Sequence, residues 1–204
     1  MDAITLPNPT IIEVVGLPGS GKSFFASQFA ETFGAPIVSR DQIRWMLFAH
    51  HTYSRDEESM VNQVADMMTG ELLKTGKTFV IDGGYNSRTA RNQLKTLAKK
   101  HNFRVMTVVV QTDEPTAKLR SLKRKNNKDI DRFKQPLDSQ TFASQVKTYQ
   151  PPVVDRNHVV ISGKHTYNTQ ARIVLKKIVE TQQDGISARP AARPIARPRG
   201  PFIQ

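Results

Sequence analysis

Apolar positions along the chain follow two periods in turn. Short unbroken runs occur at Thr10 to Val15 (TIIEVV), Ala35 to Ser39 (APIVS), Thr78 to Ile81 (TFVI), Arg104 to Val110 (RVMTVVV) and His158 to Ser162 (HVVIS), and each reads as a strand. RVMTVVV is the most continuously apolar of these, broken only by Arg104 and Thr107, which means burial on both faces, as in a parallel sheet. Between the runs the spacing turns helical, at Ser23 to Phe33, Gln42 to Phe48, Arg55 to Lys74, Arg88 to Lys100, Glu114 to Lys125, Asp138 to Tyr149 and Asn168 to Glu180. Ser39 with Gln42, Ser54 with Glu57, Ser87, and Thr112 or Asp113 supply start signals, while Gly34, Pro36 and Gly76 supply stops. In the longest of these stretches Met60, Val61, Val64, Met67, Met68 and Leu72 recur at helical spacing and are expected to pack into the core. Strands alternating with helices predict right-handed βαβ units, hence an α/β fold with a parallel five-stranded sheet flanked by helices. One domain over residues 1–183 suffices. Asn126 to Pro136 has no period and reads as a mobile loop within a lid of about 118–137, and 184–204 reads as a disordered tail.

Between the first strand and the first helix stands Gly16-Leu17-Pro18-Gly19-Ser20-Gly21-Lys22-Ser23, which fits the G-x-x-x-x-G-K-[ST] phosphate-binding loop at every fixed position. Glycines let backbone N–H groups approach a triphosphate without Cβ clashes. Lys22 adds charge near the β- and γ-phosphates, Ser23 offers a hydroxyl to Mg²⁺, and the helix opening here turns its positive end toward the anion.

Ligands of open parallel sheets sit at the carboxyl ends of the strands. The second strand leads to Asp41 and Arg44, three apart on an opening helix. They suit an acceptor-hydroxyl base with an anion-fixing guanidinium, or equally a helix-dipole charge with its ion-pair partner. The third strand delivers Asp82, either a Mg²⁺-holding acid or a turn residue before two glycines. Asn86 and Arg88 lie just beyond, within reach of acceptor or phosphate. Arg120 and Arg124, four apart, are read as one helix face of a lid closing over the transferring phosphate, against the alternative of a solvated basic face. Trp45 and Phe48 are assigned to core packing, with the acceptor pocket as the alternative. The histidines show no metal spacing.

The formal charge is +12. Lys118 to Lys134 holds eight basic residues against Asp129 and Asp131, and 185–204 adds Arg189, Arg193, Arg197 and Arg199 with no acid, leaving a net +2 elsewhere. So small a remainder argues against tracking along a duplex. The Ala-Arg-Pro repeat of the tail is a solvated extension or a contact for RNA, ribosome or an acidic partner. Cysteine is absent, no apolar run approaches a membrane span, and the N-terminus lacks a signal-peptide pattern, so a soluble cytoplasmic protein is expected.

Over Thr10 to Glu180 the pattern resembles the P-loop kinases grouped with bacteriophage polynucleotide kinase and zeta-toxin-like kinases, through GLPGSGKS, the D-x-x-R of Asp41 to Arg44, the acid in FVIDGGYN and the R-x-x-x-R of Arg120 and Arg124. The resemblance implies a P-loop NTPase-type fold and an ATP- and Mg²⁺-dependent kinase. In it Asp41 would be general base toward a 5′-hydroxyl, Arg44 would hold the neighbouring acceptor phosphate, and Arg124 would contact ATP. Asp82-Gly83-Gly84-Tyr85-Asn86 departs from the family's D-[AT]-[TN]-N, and the phosphatase domain often fused to the viral enzymes is lacking. A nucleic-acid or nucleotide 5′-hydroxyl is the first acceptor expected, with a small metabolite or nucleotide-sugar next. A nucleotide-dependent switch or ATPase with a nucleic-acid-binding tail is the alternative of another class.

Overall fold

A computed structural model describes residues 9–124 and 133–187, with 182–187 described by backbone alone. Most of the expected mobile loop and nearly all of the expected tail lie outside the described residues. The strands β1 (Thr10–Val15), β2 (Ile37–Ser39), β3 (Phe79–Asp82), β4 (Arg104–Gln111) and β5 (His158–Ser162) form one sheet in the order β2-β3-β1-β4-β5. All four pairings are parallel. The helices are α1 (Lys22–Phe33), α2 (Arg40–Leu47), α3 (Arg55–Lys74), α4 (Arg88–Lys100), α5 (Glu114–Leu122), α6 (Ser139–Thr148) and α7 (Tyr167–Ser187).

β1 lies at the centre because it is apolar on both faces. Ile12 and Val14 join Phe25 and Phe29 of α1 and Val174 and Ile178 of α7 on one side. Ile11 joins Val61 and Leu73 of α3 and Leu94 and Ala98 of α4 on the other. Each of the larger side chains among these, removed from water, contributes about 2 kcal/mol. From β1 the chain builds outward to β3 and β2 on one side and to β4 and β5 on the other. Connections therefore diverge at the carboxyl end of β1 and open a crevice there. The register carries Val14 opposite both Asp82 and Val108, and Ser39 opposite Asp82, so the ends of β1, β2 and β3 meet at that crevice.

Several sequence expectations are corrected. Met60 and Met67 are 52% and 64% exposed. Seven residues apart, they share a helix side about 100° from the stripe of Val61, Val64, Met68 and Leu72, and only that stripe meets the sheet. Trp45 is 53% exposed and stands edge-on to Phe133 at 5.3 Å, in neither core nor crevice, whereas Phe48 packs against the α3–α4 core as expected. α5 stops at Leu122, and the backbone of α7 continues to Ser187. Among the described residues no helix is long and apolar enough to cross a membrane.

Candidate active site

The crevice is a cleft of about 1660 Å³ whose floor is the phosphate-binding loop. The loop is locked from beneath: a Cβ on Gly16 would collide with the Val110 carbonyl oxygen, and one on Gly19 with that of Ala117. Both glycines also have positive φ, at 148° and 75°. α1 begins on Gly21 without a side-chain cap, whereas Ser39, Ser54, Ser87, Asp113 and Asp138 cap α2 to α6. Its first N–H groups are thus left for an anion. Gly16, Pro18, Gly19, Gly21, Lys22 and Ser23 line the cleft, while Leu17 and Ser20 hold the loop's shape. The Ser20 N–H donates to the Leu17 carbonyl at 3.1 Å, and the Ser20 carbonyl accepts from Thr112 Oγ1 at 2.9 Å. Lys22 Nζ donates to the Leu17 carbonyl at 2.8 Å. Burial lowers the Lys22 pKa to about 8, the Lys134 charge adding to that effect and Asp82 and Asp41 opposing it.

Asp82 ends β3, 5% exposed, with Ser39 Oγ donating to its Oδ2 at 3.4 Å. The turn beyond it is made by Gly83 and Gly84, with φ of 80° and 102°, so the acid is a strand-end group. Asp41 lies in the first turn of α2, Oδ1 3.6 Å from the Arg44 guanidinium and Oδ2 3.5 Å from Lys134 Nζ. Burial raises its pKa, but Lys134, Arg124, Arg44 and Lys22 together outweigh burial and hold the carboxyl below its ordinary value.

Lys134 escaped the sequence reading, yet its Nζ donates to Ser23 Oγ while facing Asp41. A cation therefore already touches the hydroxyl expected to meet Mg²⁺. Ser23 and Asp82 are hard oxygen donors of the kind magnesium takes, and the residues present fit the ion. No larger cluster of acids and histidines occurs among the described residues.

Arg44 is an ion-pair residue, as one of its two sequence readings has it, but its main partners lie on α3. It is 3% exposed, its Nε donates to Glu57 Oε1 at 2.6 Å, its Nη2 donates to Glu58, and its guanidinium lies 4.7 Å from the Tyr53 ring centre. Glu57 in turn accepts from the Thr52 N–H, Thr52 Oγ1 and the Tyr53 N–H at 2.7, 2.8 and 3.0 Å. Burial pushes the Glu57 carboxyl up, but these donors and Arg44 leave it below its ordinary value. Arg40 donates to Glu58 at 2.5 Å and also to Asn62. Glu57 was visible in the sequence only as the third residue after a cap. Nothing local marks it as the partner of a residue one helix earlier.

Arg120 and Arg124, expected on one helix face of a lid, both line the cleft but are not on one helix face. Arg120, in α5, donates to the Gly163 carbonyl at 3.0 Å, while Arg124 follows the helix end and donates to the Gln135 carbonyl at 3.3 Å. Asn86 lines the cleft as well; Arg88 does not, and its N–H donates to Gln150 Oε1 at 2.9 Å. The far wall was unforeseen: Gln140, Thr141, Ser144, Gln145, Thr148 and Tyr149 reach the cleft along one side of α6. A helix this polar on that side reads from sequence only as solvent-facing.

A family model described as "AAA domain" matches residues 11–152. Among solved structures, a gluconokinase from Sinorhizobium meliloti 1021 is 20% identical, with a TM-score of 0.64 over 89% of this chain and 98% of that one. Kti12 of Chaetomium thermophilum in complex with ADP-AlF3 is 16% identical, with a TM-score of 0.60 over 81% and 96%. The Mycobacterium tuberculosis APS kinase in complex with AMPPNP and APS is 15% identical, with a TM-score of 0.56 over 86% and 99%. No curated protein sequence matches significantly. These likenesses establish the fold of P-loop kinases for the chain.

Proposed function

The chain belongs to the AAA domain family matched over residues 11–152, and on that premise we propose that it is an ATP-dependent kinase transferring the γ-phosphate to an acceptor hydroxyl. One observation carries the reading: a carboxylate and a lid ammonium, Asp41 and Lys134, meet at 3.5 Å beside the Ser23 hydroxyl, at the mouth of the phosphate loop. A site for binding alone has no need of a base beside the γ-phosphate position.

The loop N–H groups, the free end of α1 and Lys22 bind the triphosphate. Asp41, kept ionised by the surrounding cations, orients the acceptor hydroxyl and takes its proton. The acceptor oxygen bonds to the γ-phosphorus as the bond to the bridging β,γ-oxygen breaks, and ADP leaves with that electron pair. Lys22, Arg120, Arg124 and Lys134 neutralise the charge that spreads over the phosphoryl oxygens. Ser23 and Asp82 would hold Mg²⁺, which supplies further charge neutralisation when bound.

The 5′-hydroxyl of a nucleic acid, expected from the D-x-x-R resemblance, calls for Arg44 on a neighbouring phosphate. Arg44 is committed to Glu57 and Glu58, so that choice loses its anchor, and the proposal rests on a hydroxyl acceptor.

Asp41→Ala tests the assignment. Phosphate transfer should fall by at least 10²-fold, the usual worth of a positioned base, while ATP binding measured by calorimetry stays within a few-fold. Full turnover in that variant would remove Asp41 from the chemistry. ATP loss to water alone in the wild type, with every acceptor, would favour a switch or hydrolase.

A further inference from the structure

Resting on the kinase reading above, we infer that the acceptor is an uncharged, polyhydroxylated small molecule held between α6 and the Tyr53–Asn62 wall of the cleft, and not a phosphate-bearing chain. The α6 wall offers only neutral groups: Gln140, Thr141, Ser144, Gln145 and Thr148, at spacings that keep them on one side of the helix. The opposite side is anchored by buried Phe142. Hydroxyls and amides both donate and accept, as sugar-type hydroxyls do, so each can pair with the other without residual charge. Thr52, Tyr53, Asn62 and Asn86 continue this neutral lining across the cleft.

The cations of that wall are already neutralised. Arg44 is held by Glu57 and Glu58, and Arg40 by Glu58 and Asn62. An anionic acceptor would have to break pairs around a guanidinium that is 3% exposed, leaving a buried carboxylate unpaired. Other cations gather at the phosphate loop. Lys134 touches Ser23, Lys22 is part of the loop, and Arg120 bonds to the carbonyl of Gly163, which packs against Ser20 and Gly21. Arg124 lies close enough to act on both Lys22 and Asp41. A bound triphosphate occupies this group, and among the described residues it leaves the acceptor a chamber in which Arg40, Arg44, Glu57 and Glu58 are paired with one another and Asp41 is the remaining charge, facing the acceptor hydroxyl.

The test is labelled-phosphate transfer from ATP to matched acceptors. Adenosine is set against 3′-AMP and a 5′-hydroxyl oligonucleotide, and a methyl glucoside against glucuronate and a sugar phosphate. The neutral member of a pair should have at least tenfold higher kcat/KM. Gln145→Ala and Ser144→Ala, both on a polar helix side, should raise the KM of that acceptor about tenfold and leave the ATP dissociation constant unchanged. Gln145→Lys should shift preference toward the anionic member. Preferred transfer to the phosphate-bearing members, or no response to the α6 variants, would overturn the inference and leave the kinase reading standing. Phosphate released only to water with every acceptor would overturn both.

Discussion

Lys22 shows how one residue's environment becomes a measurable property. With its pKa lowered to about 8 by burial, a good fraction of the free protein carries a neutral amine at pH 8.5. A bound triphosphate favours the ammonium, so binding of magnesium-loaded ATP should take up a proton at pH 8.5 and much less at pH 7, where the amine is already charged. Calorimetry in buffers of different ionisation enthalpy reads this directly, and Lys22→Arg, charged throughout, should abolish it. Glu13 titrates for another reason. It lies in the middle of β1, 1% exposed, with Oε2 accepting from Thr107 Oγ1 at 2.7 Å and Oε1 without a partner among the described residues. Burial lifts its pKa to about 7 against the lowering pull of Thr107, Arg91 and Lys95. The folded state therefore holds its proton more tightly than the unfolded chain. Stability is greatest below the unfolded carboxyl pKa and falls as pH rises toward 7, by roughly 3 kcal/mol in all. Glu13→Gln should flatten that slope and gain on the order of 2 kcal/mol at pH 8 in urea unfolding. The loop, Lys22, Asp82 and Asp41 were legible in the sequence because each stands beside a local signal, a motif or a strand end. Lys134, Glu57 and Glu58 were not, since their partners lie on other elements.

Among the elements, α2 and α3 are joined by charge as well as by packing. Arg44 and Glu57 are both 3% exposed and make an ion pair at 2.6 Å. Removing one partner strands the other charge in the interior, so Glu57→Ala should cost about 3–5 kcal/mol. Arg44→Met with Glu57→Leu should cost far less than the two single changes added together, and a double-mutant cycle by thermal or urea unfolding measures the difference. The contact between the loop and α5 makes a second element-level case. Gly19→Ala adds a methyl against the Ala117 carbonyl at a positive φ, so ATP affinity should drop at least tenfold while the fold, read by circular dichroism, persists. Strand positions were legible because largely apolar runs leave few alternatives, and Ser39, Ser54, Ser87 and one of Thr112 or Asp113 marked four of the helix starts. The end of α5 was missed because helix-favouring Arg and Lys residues continue past Leu122, while the Ser121 carbonyl accepts from the Leu137 N–H at 3.1 Å.

At the scale of the molecule, the strand order brings the ends of β1, β2 and β3 to a single cleft. Phosphate loop, proposed base and metal-fitting acid thus arise from three separated stretches of sequence. The lid side contributes cations and α6 contributes a neutral wall, so charge is segregated within the cleft. The parallel α/β plan was readable from period and order alone. This segregation was not, because it depends on which side of α6 faces inward and on how Arg40 and Arg44 are paired. Protein incubated with γ-labelled ATP, Mg²⁺ and a neutral polyhydroxylated acceptor should put most of the label on an acceptor carbon–oxygen–phosphorus ester, with little inorganic phosphate, and Asp41→Ala should abolish the ester. Label recovered only as inorganic phosphate, at the same rate with and without acceptor and with or without Asp41, would contradict the kinase reading.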